Sequence, residues 1–228
     1  AKAEPIQASA HQVTVRAPHF VFYVLGLLRE QYGNELVEHG GITVYTSLDL
    51  AKQQKAEEIV RAQIERLRGN HVSNAGLVSV DPSNGDIIAM VGSTDYNAPG
   101  FGNVNVTLSQ LQPGSSFKPI VYATAFKKGW NGASVVVDKP MTVRNPDGSV
   151  YKPENYDGTF RGPVTLRRAL ANSLNIPALE VIKFAGISET IQTAHDMGIS
   201  SLNQPERYGI SLALGAGEAS PLDMSTAF

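Results

Sequence analysis

The sequence has no cysteine. That removes disulfides, thiolate nucleophiles and cysteine metal sites together, and it leaves the compartment open, because a large exported protein can do without disulfides. It also lacks a long hydrophobic run. The longest, "HFVFYVLGLL" from His19 to Leu28, is about half of the roughly 20 residues that a membrane-spanning helix needs. Charge of one sign is missing too: 19 Lys and Arg against 21 Asp and Glu leave a formal net charge of −2. There is no basic face for nucleic acid and no polybasic patch for a membrane surface, so nucleic acid is not an expected partner. The opening "AKAEPIQASA" lacks the apolar stretch of a signal peptide, and any export signal or anchor is expected outside this sequence. The five histidines, His11, His19, His39, His71 and His195, are scattered, without the His-Glu-x-x-His spacing of a zinc hydrolase. No serine sits in a Gly-x-Ser-x-Gly elbow. Gly215-Ala-Gly217 is followed by Ser220 instead of a third glycine, which is no dinucleotide fingerprint.

What remains is globular in composition, 42% hydrophobic and 18% charged over 228 residues, enough for one large domain or two small ones. Residues 1 to 18 show no periodicity. Phe20, Val21, Val24, Leu27 and Leu28 recur at helical spacing, with Gly33 as the stop. Ile42, Val44 and Thr46 alternate as in a short strand. Asp49 is placed to cap a helix running to Gly69, whose narrow apolar face is Leu50, Ala56, Ile59, Val60, Ile64 and Leu67. Leu77–Val80 and Ile87–Val91 flank a Pro-Ser-Asn-Gly turn and read as a hairpin in the middle of a covered sheet. Its Asp81 and Asp86 do not follow the calcium-loop spacing. Residues 129 to 162, with Pro140, Pro146 and Pro153, read as a long loop. Three helices then follow in "PVTLRRALANS", "IPALEVIKFAG" and "SETIQTAHDMG", and "SPLDMSTAF" is again periodic.

The chemistry concentrates in "LQPGSSFKPIVY", residues 111–122. With Ser115 near a helix start, Lys118 lies one turn on and shares its face. Helix N-terminal N–H groups favour an oxyanion there and disfavour an ammonium. Burial of the lysine acts in the same direction, so a neutral Lys118 can take the proton of Ser115 as it attacks a carbonyl. Pro119 is tolerated only within a first turn. The plain alternative is a serine cap on an ordinary helix. A second constellation, Ser173-x-Asn175, lies between two helices. It can turn a hydroxyl and an amide to one side of a short bend, or simply cap the two helices.

Taken together, these segments resemble the penicillin-binding proteins, specifically the class A, bifunctional branch. "SVDPSNGDIIAMVGS", "QPGSSFKPIVYATAF", "PENYDGTFRGPVTLRRALANSLNIPAL" and "LALGAGEASPLDMSTAF" are similar to that family's transpeptidase domain. "APHFVFYVLGLLREQYG" and "GGITVYTSLDLAKQQKAEE" resemble its linker from a glycosyltransferase domain. The resemblance implies a linker over 1–70 and the first part of a transpeptidase domain over 71–228. It implies an α/β, three-layer fold with a mainly antiparallel sheet between helices, incomplete in this chain. Ser115 would be the nucleophile and its N–H half of an oxyanion hole. Lys118 would be the base, Ser173 the relay to the leaving group, and Asn175 the holder of the substrate amide and of Lys118. Implied partners are peptidoglycan stem peptides ending in D-Ala-D-Ala and β-lactams, with no cofactor, at the outer face of the bacterial cell membrane.

The third family motif, Lys-Thr/Ser-Gly, does not occur in the sequence. It is expected on a complementary C-terminal polypeptide. A serine β-lactamase or β-lactam sensor on the same fold, and a non-catalytic interaction module with a degenerate site, stand as the alternatives.

Overall fold

A computed structural model describes residues 15–144 and 150–228. The irregular reading of residues 1–14, and Pro146 in the long loop, lie outside the described residues. The chain divides into two compact units, residues 1–77 with 87–105, and residues 78–86 with 106–228.

In the first unit, α1 (Pro18–Tyr32) carries the helical spacing seen in the sequence. Proline opens it and Gly33, at φ 82°, ends it, a left-handed position that glycine occupies without a Cβ clash. A short α2 (Asn34–His39) follows. α3 (Leu50–Leu67) starts where Asp49 accepts the N–H groups of Ala51 and Lys52. Its buried stripe is Gln53, Ala56, Val60 and Ile64. Ile59, expected on that stripe, is half exposed, and Gln53 takes the core position instead. The reason is a backbone with unmet hydrogen-bonding groups. The Gln53 carboxamide accepts from Met90 N–H at 2.8 Å and donates to Met90 C=O at 3.1 Å, standing in for a neighbouring strand.

The expected strand at 42–46 does not form. Ile42, Val44 and Tyr45 are exposed, and isolated bonds hold the segment that follows: Ser47 Oγ donates to Ile87 C=O and Asp49 N–H to Ile88 C=O. Alternation alone does not make a strand when no neighbouring strand pairs with its backbone. The arms of the expected hairpin are strands β1 (Leu77–Val80) and β2 (Ile87–Val91). Within the second unit, the turn between them is closed by Asp81 N–H on Asp86 C=O at 2.8 Å. β1 is half-buried along its whole length, which corrects the fully covered strand read from its sequence.

The second unit is built around α6 (Asn175–Ala185), which buries Ile176, Pro177, Ala178, Leu179, Val181, Ile182 and Ala185. A helix apolar on so many sides is a core helix. α4 (Lys118–Lys127) packs against it, contributing Ile120, Val121, Tyr122 and Ala125. α5 (Leu166–Ala171), α7 (Ile187–Asp196) and α8 (Pro221–Ala227) complete the helical part. α8 opens with a reciprocal Ser220–Asp223 capping box. The segment read as a long loop holds two strand pairs. β3 (Val135–Asp138) runs antiparallel to β6 (Gly162–Thr165), with Val136 opposite Val164, and β4 (Val143–Arg144) pairs with β5 (Val150–Tyr151). The β-branched run Val135–Val137 was the available signal for β3, and proline-rich flanks masked it.

Candidate active site

Pro113 and Gly114, at φ 58°, turn the chain into a 3₁₀ turn, Gly114–Phe117, that runs directly into α4. Ser115 therefore stands in the first turn of a continuous helical run, with Lys118 one turn later and its N–H on Ser115 C=O. The sequence offers two adjacent serines, and the structure separates them. The Ser116 hydroxyl folds back to donate to Pro113 C=O at 2.7 Å. The exposed Ser115 hydroxyl makes no hydrogen bond among the described residues.

The backbone before Ser115 is held by a segment about a hundred residues further along the chain. Leu111 and Ala219 exchange both N–H···O=C bonds, at 3.1 and 2.9 Å. Gly215, at φ 75°, lies against Gly114 so closely that a Cβ there would overlap the N, Cα and O atoms of Gly114.

Lys118 is 1% exposed. Its Nζ donates to Ser173 C=O at 2.5 Å, Ser173 Oγ at 3.1 Å and Asn175 Oδ1 at 2.8 Å. The amine is thus bound to the 173–175 bend, and no hydrogen bond to Ser115 is present among the described residues, a departure from the direct contact read from the spacing. Three acceptors match the three protons of an ammonium. Burial pushes the amine down to about 8, since desolvation disfavours the charged form. A neutral fraction of about one-tenth at pH 7 follows from that value.

The bend itself is a helix C-cap of a definite kind. Leu174 N–H bonds to Ala169 C=O and Ser173 N–H to Leu170 C=O, at 3.0 and 2.9 Å. That is the Schellman pattern, with Ser173 at the left-handed position, φ 52°. Glycine or asparagine is preferred there, and a serine carries a strain of about 1 kcal/mol. Strain of this sort gathers at sites where the side chain does something the backbone does not need.

α6 begins at Asn175, yet Leu174, its N-cap residue, gives no side-chain bond. The cap comes from elsewhere. Asn155 Oδ1 accepts Asn175 N–H at 2.8 Å and Ile176 N–H at 3.4 Å. Asn175 Nδ2 donates to Glu154 C=O at 2.8 Å, so Oδ1 must face Lys118. Behind Asn155 lies Asp138, fully buried on β3. Asn155 Nδ2 reaches both its carboxylate oxygens at 2.9 Å, Arg161 N–H adds a bond at 3.1 Å, and the Arg161 guanidinium stands 3.8 Å away. Asp138, Glu154 and Asn155 were not singled out from the sequence. "PENYDG" was part of the resemblance, but nothing local in it says which distant backbone its asparagine will cap.

A profile of the penicillin binding protein transpeptidase domain matches residues 75–214. The chain belongs to the penicillin-binding protein transpeptidase family. It is 33% identical to penicillin-binding protein 1B of Vibrio cholerae over 219 residues, which cover 94% of this chain and 28% of that protein. The structure of penicillin-binding protein 1A from Haemophilus influenzae superimposes with a TM-score of 0.80 at 24% identity, covering 98% of this chain and 47% of that one. The PonA1 protein of Mycobacterium tuberculosis, solved in complex with penicillin V, gives a TM-score of 0.77 at 25% identity over 94% of this chain and 58% of that one. The fold is that of penicillin-binding protein transpeptidases, of the class A type, and this chain spans less than a third of the length of the curated relatives it matches. No helix among the described residues is long and apolar enough to cross a membrane.

Proposed function

We propose that this chain supplies the nucleophile side of a peptidoglycan DD-transpeptidase active site. The observation that carries the reading is the buried Lys118 amine, held by Ser173 and Asn175 one helical turn from an exposed Ser115 hydroxyl that has no hydrogen bond among the described residues. Ser115 Oγ attacks the carbonyl between the two terminal D-alanines of a stem peptide, and neutral Lys118 accepts its proton. The Ser115 N–H stabilises the oxyanion as one half of the oxyanion hole. As the C–N bond breaks, a proton returns through Ser173 to the departing D-alanine amine. An amine from a neighbouring stem then attacks the ester, forming the crosslink and restoring Ser115–OH. Asn175 holds the substrate amide and Lys118.

A β-lactam presents a strained amide to the same nucleophile. Its ring C–N bond opens, the leaving nitrogen remains tethered, and Ser115 stays acylated. A complementary C-terminal polypeptide carrying Lys-Thr-Gly or Lys-Ser-Gly would close the other wall of the cleft. The assembly would work at the outer face of the cell membrane.

The test is fluorescent-penicillin labelling of the assembly that contains such a segment, with peptide mapping. The expected result is a single adduct on Ser115 lasting hours, lost in Ser115→Ala. Turnover of the adduct in seconds would make the protein a β-lactamase, and no adduct in an intact assembly would make it a non-catalytic module.

A further inference from the structure

The amide of Asn175 is oriented from outside the motif. Its backbone N–H is capped by Asn155 Oδ1, and its side-chain Nδ2 is drawn to Glu154 C=O, the residue next door. Both restraints come from one two-residue segment. That segment is in turn fixed by Asp138, whose two oxygens both accept from Asn155 Nδ2. An asparagine amide has one donating and one accepting end. With Nδ2 claimed by a buried carboxylate and by Thr159 C=O at 2.8 Å, only Oδ1 can face α6. An amide turned the other way would set N–H against the N–H groups of Asn175 and Ile176. Asp138 thus decides which way Asn155 points, Asn155 holds the start of α6, and the start of α6 presents Asn175 Oδ1 to Lys118 at 2.8 Å.

We propose that Asp138 and Asn155 are positioning residues for acyl transfer: a buried carboxylate–carboxamide pair that sets the angle at which Asn175 holds the Lys118 amine. The proposal rests on the reading of Ser115 and Lys118 as nucleophile and base. Neither positioning residue touches a reacting atom. Their effect passes through the bend, where a shift of about 1 Å is enough to slow a positioned reaction up to about 100-fold.

The test is stopped-flow acylation by a chromogenic β-lactam in the complete assembly, comparing wild type, Asp138→Asn, Asn155→Asp and the double exchange. Asp138→Asn turns an NH₂ toward either Asn155 Nδ2 or Arg161 N–H, and should lower the maximal acylation rate by about 10- to 100-fold while the half-saturating concentration changes less. Asn155→Asp keeps the acceptor for Asn175 but loses the donor and sets two carboxylates together, so its rate should fall as well. The double exchange restores the pairing, because the amide now on β3 can donate to the carboxylate now at position 155 and still accept Arg161 N–H. It should recover part of the rate, short of wild type, since Thr159 C=O loses the closer of its two donors and keeps only Arg161 Nη1 at 3.3 Å.

If wild type takes no adduct on Ser115, the acyl-transfer reading itself fails. If wild type acylates and a folded Asp138→Asn does so at the wild-type rate, this inference fails alone. It also fails alone if both single variants slow but the exchange recovers nothing. Should Asp138→Asn not fold, Asn155→Ser, which removes the cap and leaves Asp138 with Arg161 N–H, gives the same comparison: a wild-type rate refutes the proposal.

Discussion

Ser173 offers the sharpest separation between what the fold wants and what the chemistry wants. It holds a left-handed C-cap, φ 52°, where the Schellman geometry favours glycine. Replacing it with alanine or with glycine removes the same hydroxyl and the same 3.1 Å bond to Lys118. The two variants differ only in the Cβ and in chain freedom. Alanine keeps the left-handed clash, about 1–2 kcal/mol, and glycine relieves it but gives back part of the gain through its freer unfolded chain. The net expectation is a Ser173→Gly variant more stable than Ser173→Ala by about 1 kcal/mol, or about 2–4 °C in melting temperature for a domain of this size. Both should acylate slowly with a β-lactam, because both lack the proposed relay. Differential scanning calorimetry and acylation rates on the same preparations check the two halves. Alanine as stable as glycine would refute the strain argument, and a wild-type acylation rate in Ser173→Gly would refute the relay.

Other expectations follow from the same geometry. Acylation of Ser115 should rise with pH from 6 through a midpoint near 8, because burial depresses the Lys118 amine and only its neutral form can take a proton. The three acceptors favour the ammonium, so a midpoint well below 8, or a flat profile between pH 6 and 8, would exclude Lys118 as the base. Gly215→Ala should destabilise the second unit by roughly 1–3 kcal/mol and slow acylation, since its Cβ would strike the Gly114 backbone and its φ is positive; thermal melts and labelling rates report both. Gln53→Ala should cost the first unit about 2–5 kcal/mol, because both backbone groups of Met90 lose their partner. Hydrogen exchange at the Met90 amide should accelerate in step.

The longer helices were legible where apolar spacing and an end signal agree locally: Gly33 closes α1 and Asp49 starts α3. The short α2, with no apolar stripe, went unread, as did the Ser220–Asp223 capping box that starts α8. Strands were harder, because pairing is not a local property. Val135–Val137 finds Pro163–Thr165 beyond a second strand pair, while Ile42–Thr46 alternates well and finds no ladder. Gln53 went unread for the same reason: a polar residue on an apolar stripe is explained only by Met90, far along the chain. In the candidate site, spacing alone put Lys118 beside Ser115. It did not show that the amine would be bound by a carbonyl and two side chains of a distant bend. The serines at 115 and 116 differ by one hydrogen bond, which no sequence displays, and the support from Asp138 and Asn155 crosses from β3 to α6.

The ammonium of Lys118 is also a clasp. Each of its three protons ties the first turn of α4 to the bend that opens α6. To serve as the proposed base the amine must surrender one of them, so the group assigned to start the chemistry would loosen the joint that aims it. Under the proposed chemistry, resting cohesion and readiness to react are alternative uses of one proton, and the site would have to unfasten itself slightly before it could strike.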